Sequence, residues 1–116
     1  MVGSTREQGH PVCIDLKKFV QRSAGVFGAT GTGKSTTTAA MIDYRASQVD
    51  GHIVTIEDPI EFLFTPIRCI IRQRQLGSDI LSFAQGLKHV LRQDPNVIMV
   101  GEMRDLETIA STITLA

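Results

Sequence analysis

The 116-residue chain is poor in the residues that would build a metal or disulfide framework. It has two cysteines, Cys13 and Cys69, far apart in sequence and without metal-ligand spacing. Its three histidines, His10, His52 and His89, share no ligand spacing either, so each reads as structural or exposed. No apolar run approaches the roughly 18 residues of a membrane span, and the N-terminus lacks the apolar core of a signal peptide. Neither sign of charge is in excess: Lys and Arg number 12, as do Asp and Glu. That balance gives no electrostatic footing for nucleic acid or an anionic membrane surface. Internal repeats and low-complexity tracts are absent. What remains is ordinary globular material, 42% apolar and 21% charged, enough for a single domain with a modest core.

Within that plain background one stretch stands out. Gly28-Ala29-Thr30-Gly31-Thr32-Gly33-Lys34-Ser35 matches G-x-x-x-x-G-K-[ST] at every fixed position. Its glycines can adopt positive φ and carry no Cβ, so successive backbone N–H groups can turn inward into an anion-binding concavity. Lys34 brings a point charge to the β- and γ-phosphates, and the Ser35 hydroxyl can ligate Mg²⁺. A helix starting at Lys34 would aim its positive dipole end at the same phosphate. The nucleotide-binding candidates are therefore Gly28, Ala29, Thr30, Gly31, Thr32, Gly33, Lys34, Ser35 and the adjoining Thr36, with ATP and Mg²⁺ as ligands. A phosphate-binding motif also places the chain in a reducing compartment, with both thiols free.

Residues 1–14 read as a loose leader and 15–116 as the folded unit. Asp15 can cap a short helix over Leu16–Arg22, and Ala24–Phe27 is the only strand available to feed the phosphate loop. The next helix is expected over Lys34–Ser47, with a Thr-rich start of poor propensity and a better Ala-rich middle. Asp50-Gly51 reads as a turn before a buried strand, His52–Ile56, which Pro59 stops. Ile67–Arg74, mixing arginines and isoleucines, suits a sheet margin or a surface ribbon. A turn at Leu76–Asp79 leads to a helix with Leu81, Ala84, Leu87, Val90 and Leu91 on one face and Phe83 beside it, ending at Asp94-Pro95. Val97–Val100 reads as the cleanest buried strand, and Asp105 caps a last helix with Leu106, Ile109, Ala110 and Ile113 inward. Strands alternating with helices imply a parallel α/β sheet, whose ligands sit at the carboxyl ends of the strands.

Acidic residues follow two strands at that end. Val97–Val100 followed by Gly101-Glu102 is the apolar-strand-then-acid pattern of a carboxylate that holds Mg²⁺, here Glu rather than the commoner Asp. Glu57-Asp58-Pro59-Ile60-Glu61 ends the other strand, and Glu57, continuing that strand directly, is the candidate to orient or deprotonate an attacking water. Ser35 and Glu102 are thus the metal candidates, Glu57 and Glu102 the catalytic ones. Arg104 can approach phosphate or pair with Asp105.

These blocks together, GATGTGKSTTTAAMIDY, HIVTIEDPIEF and LRQDPNVIMVGEMRDLETI, resemble the PilT/PilU-type retraction ATPases of the type IV pilus, within the wider secretion-ATPase superfamily. The resemblance runs from about Gly25 to Ala116. It implies a P-loop NTPase of the RecA-like kind, a parallel sheet flanked by helices and incomplete at its C-terminus. It further implies an ATP-driven hexamer, a pilus platform protein of the inner membrane as partner, and a cytoplasmic place at that membrane's inner face. Gly28 to Ser35 would be the Walker-A loop, Glu57, Asp58 and Glu61 would lie in the acidic Asp box, and Glu102 in the Walker-B segment. In the family the Asp-box glutamate is assigned to water activation, in line with Glu57.

Some family features have no counterpart here. Nothing matches the N-terminal PAS-like domain that contributes arginines, or the His-containing block, later strands and C-terminal helices. Gln75 also stands where the family's Arg-Glu-Val-Gly turn has glutamate. The expectation is an ATPase core segment of a retraction motor that alone turns over slowly or not at all. The alternatives are a nucleotide-binding fragment without turnover and a type II secretion or pilus-assembly ATPase.

Overall fold

The computed structural model describes residues 3–4, 11–12 and 33–115. Gly3–Ser4 (β1) pairs antiparallel with Pro11–Val12 (β2), so the leader carries a small ribbon where no structure was expected. The expected Leu16–Arg22 helix, the Ala24–Phe27 strand, Cys13 and His10 lie outside the described residues. The main body runs α1 (Lys34–Gln48), β3 (Gly51–Glu57), β4 (Cys69–Gln75), α2 (Phe83–Leu91), β5 (Val97–Val100) and α3 (Leu106–Leu115). β4, β3 and β5 form a parallel sheet in that order, with Ile53 opposite Ile71 on one side and Val97 on the other.

β3 is the centre because it is apolar on both faces. Its residues Ile53 to Glu57 are all buried. Strand alternation sends Ile53 to one layer, with Ala39, Ile42 and Ala46 of α1, Phe64 and Cys69. Val54 and Ile56 go to the other, with Phe83, Leu87 and Val90 of α2. Two packed layers on one parallel sheet are the α/β arrangement expected from the alternating pattern.

Several local expectations change. β4 begins at Cys69 rather than Ile67 and sits at an edge of the three-stranded sheet, as its arginines suggested. β5 is only half-buried along its length, because among the described residues it pairs with β3 alone. The strand with the most complete burial is β3 instead. In α2 the Ser82 hydroxyl accepts from the Gln85 N–H and sets the start, so Leu81 precedes the helix and is 85% exposed while Phe83 is buried. The inward stripe is Phe83, Ala84, Leu87 and Val90; Leu91 falls off it. Gly86 lets α2 approach β3 closely, since a Cβ there would stand 2.7 Å from Ile80 Cδ1 and 3.3 Å from Ile56 Cδ1.

Asp105 does cap α3: its Oδ1 accepts from the Thr108 N–H at 2.8 Å and its Oδ2 from the Thr108 hydroxyl at 2.7 Å. The expected inward face does not hold, because Leu106, Ala110 and Ile113 are exposed and Thr108 is the buried residue. Thr108 can be buried because the cap satisfies both its donors.

Leu87, 1% exposed, fills the α2 layer, so Leu87→Ala should destabilise by about 2–5 kcal/mol in urea unfolding. Leu91→Ala, at a half-exposed position, should stay within about 0.5 kcal/mol.

A second expectation concerns acid. The Thr108 hydroxyl, then the Thr108 N–H, hold the Asp105 carboxyl below its usual 3.8. A pKa depressed by folding stabilises above the unfolded value and loses that stabilisation as pH falls through the folded one. Asp105→Asn keeps a capping oxygen but cannot titrate. Unfolding midpoints below about pH 4 should therefore fall less steeply in the variant than in the parent chain.

Candidate nucleotide site

The site begins at the N-terminus of α1. Gly33 is the N-cap residue, in the left-handed region at φ 80°, where a Cβ is strained. It offers no side chain to the first turn of α1, which also contains no acidic residue. The first backbone N–H groups of the helix lack intrahelical acceptors, and the dipole adds positive potential there. The hydroxyls of the Thr-rich start are satisfied by back-bonding: the Thr37 hydroxyl donates to the Gly33 carbonyl and the Thr38 hydroxyl to the Lys34 carbonyl. Ser35 and Thr36, both exposed, make no such bond among the described residues. Lys34 is half-buried. Gly28 to Thr32, the remainder of the expected loop, lie outside the described residues.

Chain geometry brings Glu57 back to this end. α1 has 15 residues and β3 has 7, joined by Val49 and Asp50 alone. At about 1.5 Å and 3.3 Å per residue the two are of nearly equal length, roughly 23 Å. Ile53 of β3 packs with Ala39, Ile42 and Ala46 of α1, and a strand running back along the helix would carry its carboxyl end to the level of the α1 N-terminus. The opposite end is fastened by Arg68, whose N–H groups bond both Asp50 oxygens and whose backbone N–H bonds the Ala46 carbonyl. Glu57 shares its strand face with Ile53 and Thr55, the face that α1 covers.

Glu57 is therefore the last residue of a buried strand, 5% exposed, rather than the first of a solvated loop. Such a carboxylate needs hydrogen bonds to be held there. It accepts from the Thr55 hydroxyl at 2.8 Å and from the Gln73 side-chain amide at 3.1 Å, both on Oε2. Gln73 lies directly opposite Thr55 on β4. Asp58 and Glu61, the other acids of this cluster, are exposed. The segment between Glu57 and β4 is held by the same strand: the Gln73 Oε1 accepts from the Phe64 N–H, and the Gln75 Oε1 from the Ile60 N–H.

β5 delivers the second acid beside the first. The Gly101 N–H donates to the Ile56 carbonyl at 2.8 Å. A Cβ at Gly101 would stand 3.3 Å from that oxygen and 3.4 Å from Glu57 Cα, so the two strand ends meet backbone to backbone. Glu102 follows immediately, its side chain 25% exposed and paired with Arg104 at 2.9 Å. Arg104 thus pairs with Glu102 and not with Asp105, whose oxygens are already committed to Thr108.

The structure gathers Glu57 and Glu102 at one sheet edge and leaves Asp58 and Glu61 outside it. Sequence reasoning missed Thr55, Gln73 and Gly101. The glutamines carried a signal, since Gln73 and Gln75 alternate with arginines at strand period and so share one face of β4.

Comparison with known proteins agrees with the parallel α/β fold. The Type II/IV secretion system protein family matches residues 6–115. The type IV pilus retraction ATPase PilT of Pseudomonas aeruginosa is 53% identical over 91 residues, covering 78% of this chain and 26% of that protein. The type IV pilus ATPase PilU of the same organism is 49% identical over 104 residues, covering 87% and 27%. A crystal structure of the pilus retraction motor PilT with bound ADP superposes with a TM-score of 0.74 at 54% identity, over 75% of this chain and 25% of that one. The chain spans about a quarter of the length of these relatives.

Proposed function

The chain belongs to the Type II/IV secretion system protein family, and on that footing we propose that it is the ATP-binding core segment of a motor ATPase that powers type IV pilus retraction. The observation that carries the reading is the buried, hydrogen-bonded Glu57 carboxylate at the carboxyl end of β3. The relatives named for pilus retraction favour that motor over a secretion or assembly ATPase. In the assembled protein the segment would work in a homo-hexamer at the cytoplasmic face of the inner membrane, against a pilus platform protein.

Each part of the segment has a chemical role. The first-turn N–H groups of α1 and Lys34 bind the β- and γ-phosphates, with Gly28 to Thr32 completing the loop. Glu57 takes the proton of the attacking water as the water oxygen bonds to the γ-phosphorus. The bond to the bridging oxygen breaks, and ADP leaves with that electron pair.

The donor set suits Mg²⁺. Ser35 and Glu102 offer hard oxygen donors, and Mg²⁺ binds through few protein oxygens plus phosphates and water. Ser35 and Glu102 would hold it, and it would neutralise charge on the phosphate oxygens.

Binding is tested by calorimetric titration of Mg²⁺–ATP. Lys34→Ala removes the point charge, and Gly33→Val forces a β-branched residue into a left-handed position. Each should lower affinity at least tenfold, and unchanged affinity in both would remove the phosphate site.

The two acids separate in a different measurement. Glu102→Gln should weaken the dependence of nucleotide binding on Mg²⁺. Glu57→Gln should leave binding intact and cut any turnover by about 10²–10⁴. Phosphate release that is normal in the Glu57→Gln chain takes it out of the mechanism.

A further inference from the structure

Both hydrogen bonds to Glu57 fall on one oxygen. Oε2 accepts from Thr55 and Gln73, while Oε1 accepts none among the described residues. The Gln73 amide has little freedom to point otherwise. Its Nε2 also donates to the Phe62 carbonyl at 2.7 Å, and its Oε1 accepts the Phe64 N–H at 3.1 Å. Turning the amide over would set N–H against N–H and oxygen against two oxygens, losing all three bonds. Thr55, fully buried, has one hydroxyl proton and donates it to the same carboxylate.

We infer that Thr55 and Gln73 are positioning residues for nucleotide hydrolysis. They hold Glu57 by Oε2 so that Oε1 is presented to the attacking water. The inference rests on the reading of Glu57 as the water-activating group. A carboxylate free to rotate would offer either oxygen in many directions. One clamped on a single oxygen is restricted to the geometry that proton transfer needs. Gln73 also ties this clamp to the segment carrying Phe62 and Phe64, so Glu57 is aimed only while that segment stays on β4.

The test uses the whole chain and reads Mg²⁺–ADP affinity with and without aluminium fluoride, by fluorescence of a labelled ADP. The fluoroaluminate complex mimics the transferring phosphoryl group with its attacking water in place, so it responds to how that water is held. The parent chain should bind ADP more tightly with fluoroaluminate, and Glu57→Ala should lose most of that gain. Thr55→Val and Gln73→Leu should each reduce the gain about tenfold, with ADP alone within twofold of the parent. Thr55→Ser, which restores the hydroxyl, should recover it.

The inference is overturned if Thr55→Val and Gln73→Leu keep the full gain while Glu57→Ala loses it; Glu57 then keeps its role. It is also overturned if both variants weaken ADP alone as much as the fluoroaluminate complex, which would mark a purely structural contribution. A parent chain without any gain, or a Glu57→Ala chain that retains it, would instead remove the reading of Glu57 and this inference together.

Discussion

A strand packed on both faces must still end in something, and β3 ends in a carboxylate. Covering Ile53 with α1 and Val54 and Ile56 with α2 draws β3 from Ile53 onward out of water, Glu57 included. Desolvating an ionised carboxylate is costly unless hydrogen bonds replace its water. The surrounding chain is arranged around that requirement. Thr55 supplies a donor from two residues back on the same strand, and Gln73 supplies another from the neighbouring strand. Hydrogen bonds to charged groups contribute about 1.5–3 kcal/mol each. Two of them are of the right order to keep a charged group inside.

The same contacts have a second effect. Gln73 spends its amide on Glu57, on the Phe62 carbonyl and on the Phe64 N–H at once, while Gln75 accepts from the Ile60 N–H. The eleven-residue connection from β3 to β4 has no helix of its own, so its backbone groups need partners elsewhere. Two side chains on one face of β4 provide some of them. The acidic segment and the acid that precedes it are thereby parts of one hydrogen-bonded unit. The exposed pair Arg68 with Asp50 and the part-exposed pair Arg104 with Glu102 are weaker in kind, the first about 0–1 kcal/mol. Their contribution is to local placement rather than to stability.

The proposed site draws on three separate devices, two of which meet at the sheet's carboxyl edge. α1 presents a helix start with a glycine cap and no first-turn acid, a place suited to an anion. β3 presents Glu57, and β5 brings Glu102 alongside through the bare backbone of Gly101. The near-equal lengths of α1 and β3 would suit the first two to one level if the strand runs back along the helix. None of these parts needs the others to form locally, but chemistry on a phosphate needs all of them within reach of one ligand.

Much of this was decided by the order of residues alone. The G-x-x-x-x-G-K-S stretch, the alternation of strands with helices, the acids placed after apolar runs and the Asp105 cap are local patterns. Local patterns survive without knowledge of the fold, because spacing along the chain fixes which groups share a face or a turn. Burial and pairing do not have that property. That β3, and not Val97–Val100, is the buried strand depends on which strands flank it. That Phe83 faces inward while Leu81 does not depends on where Ser82 starts the helix, and Thr108 is buried because Asp105 satisfies its donors. The orientation of Glu57 is the clearest case: its donors come from Thr55, two residues away, and from Gln73, sixteen residues away on another strand. Only the parallel register that sets Thr55 opposite Gln73 brings them to the same oxygen.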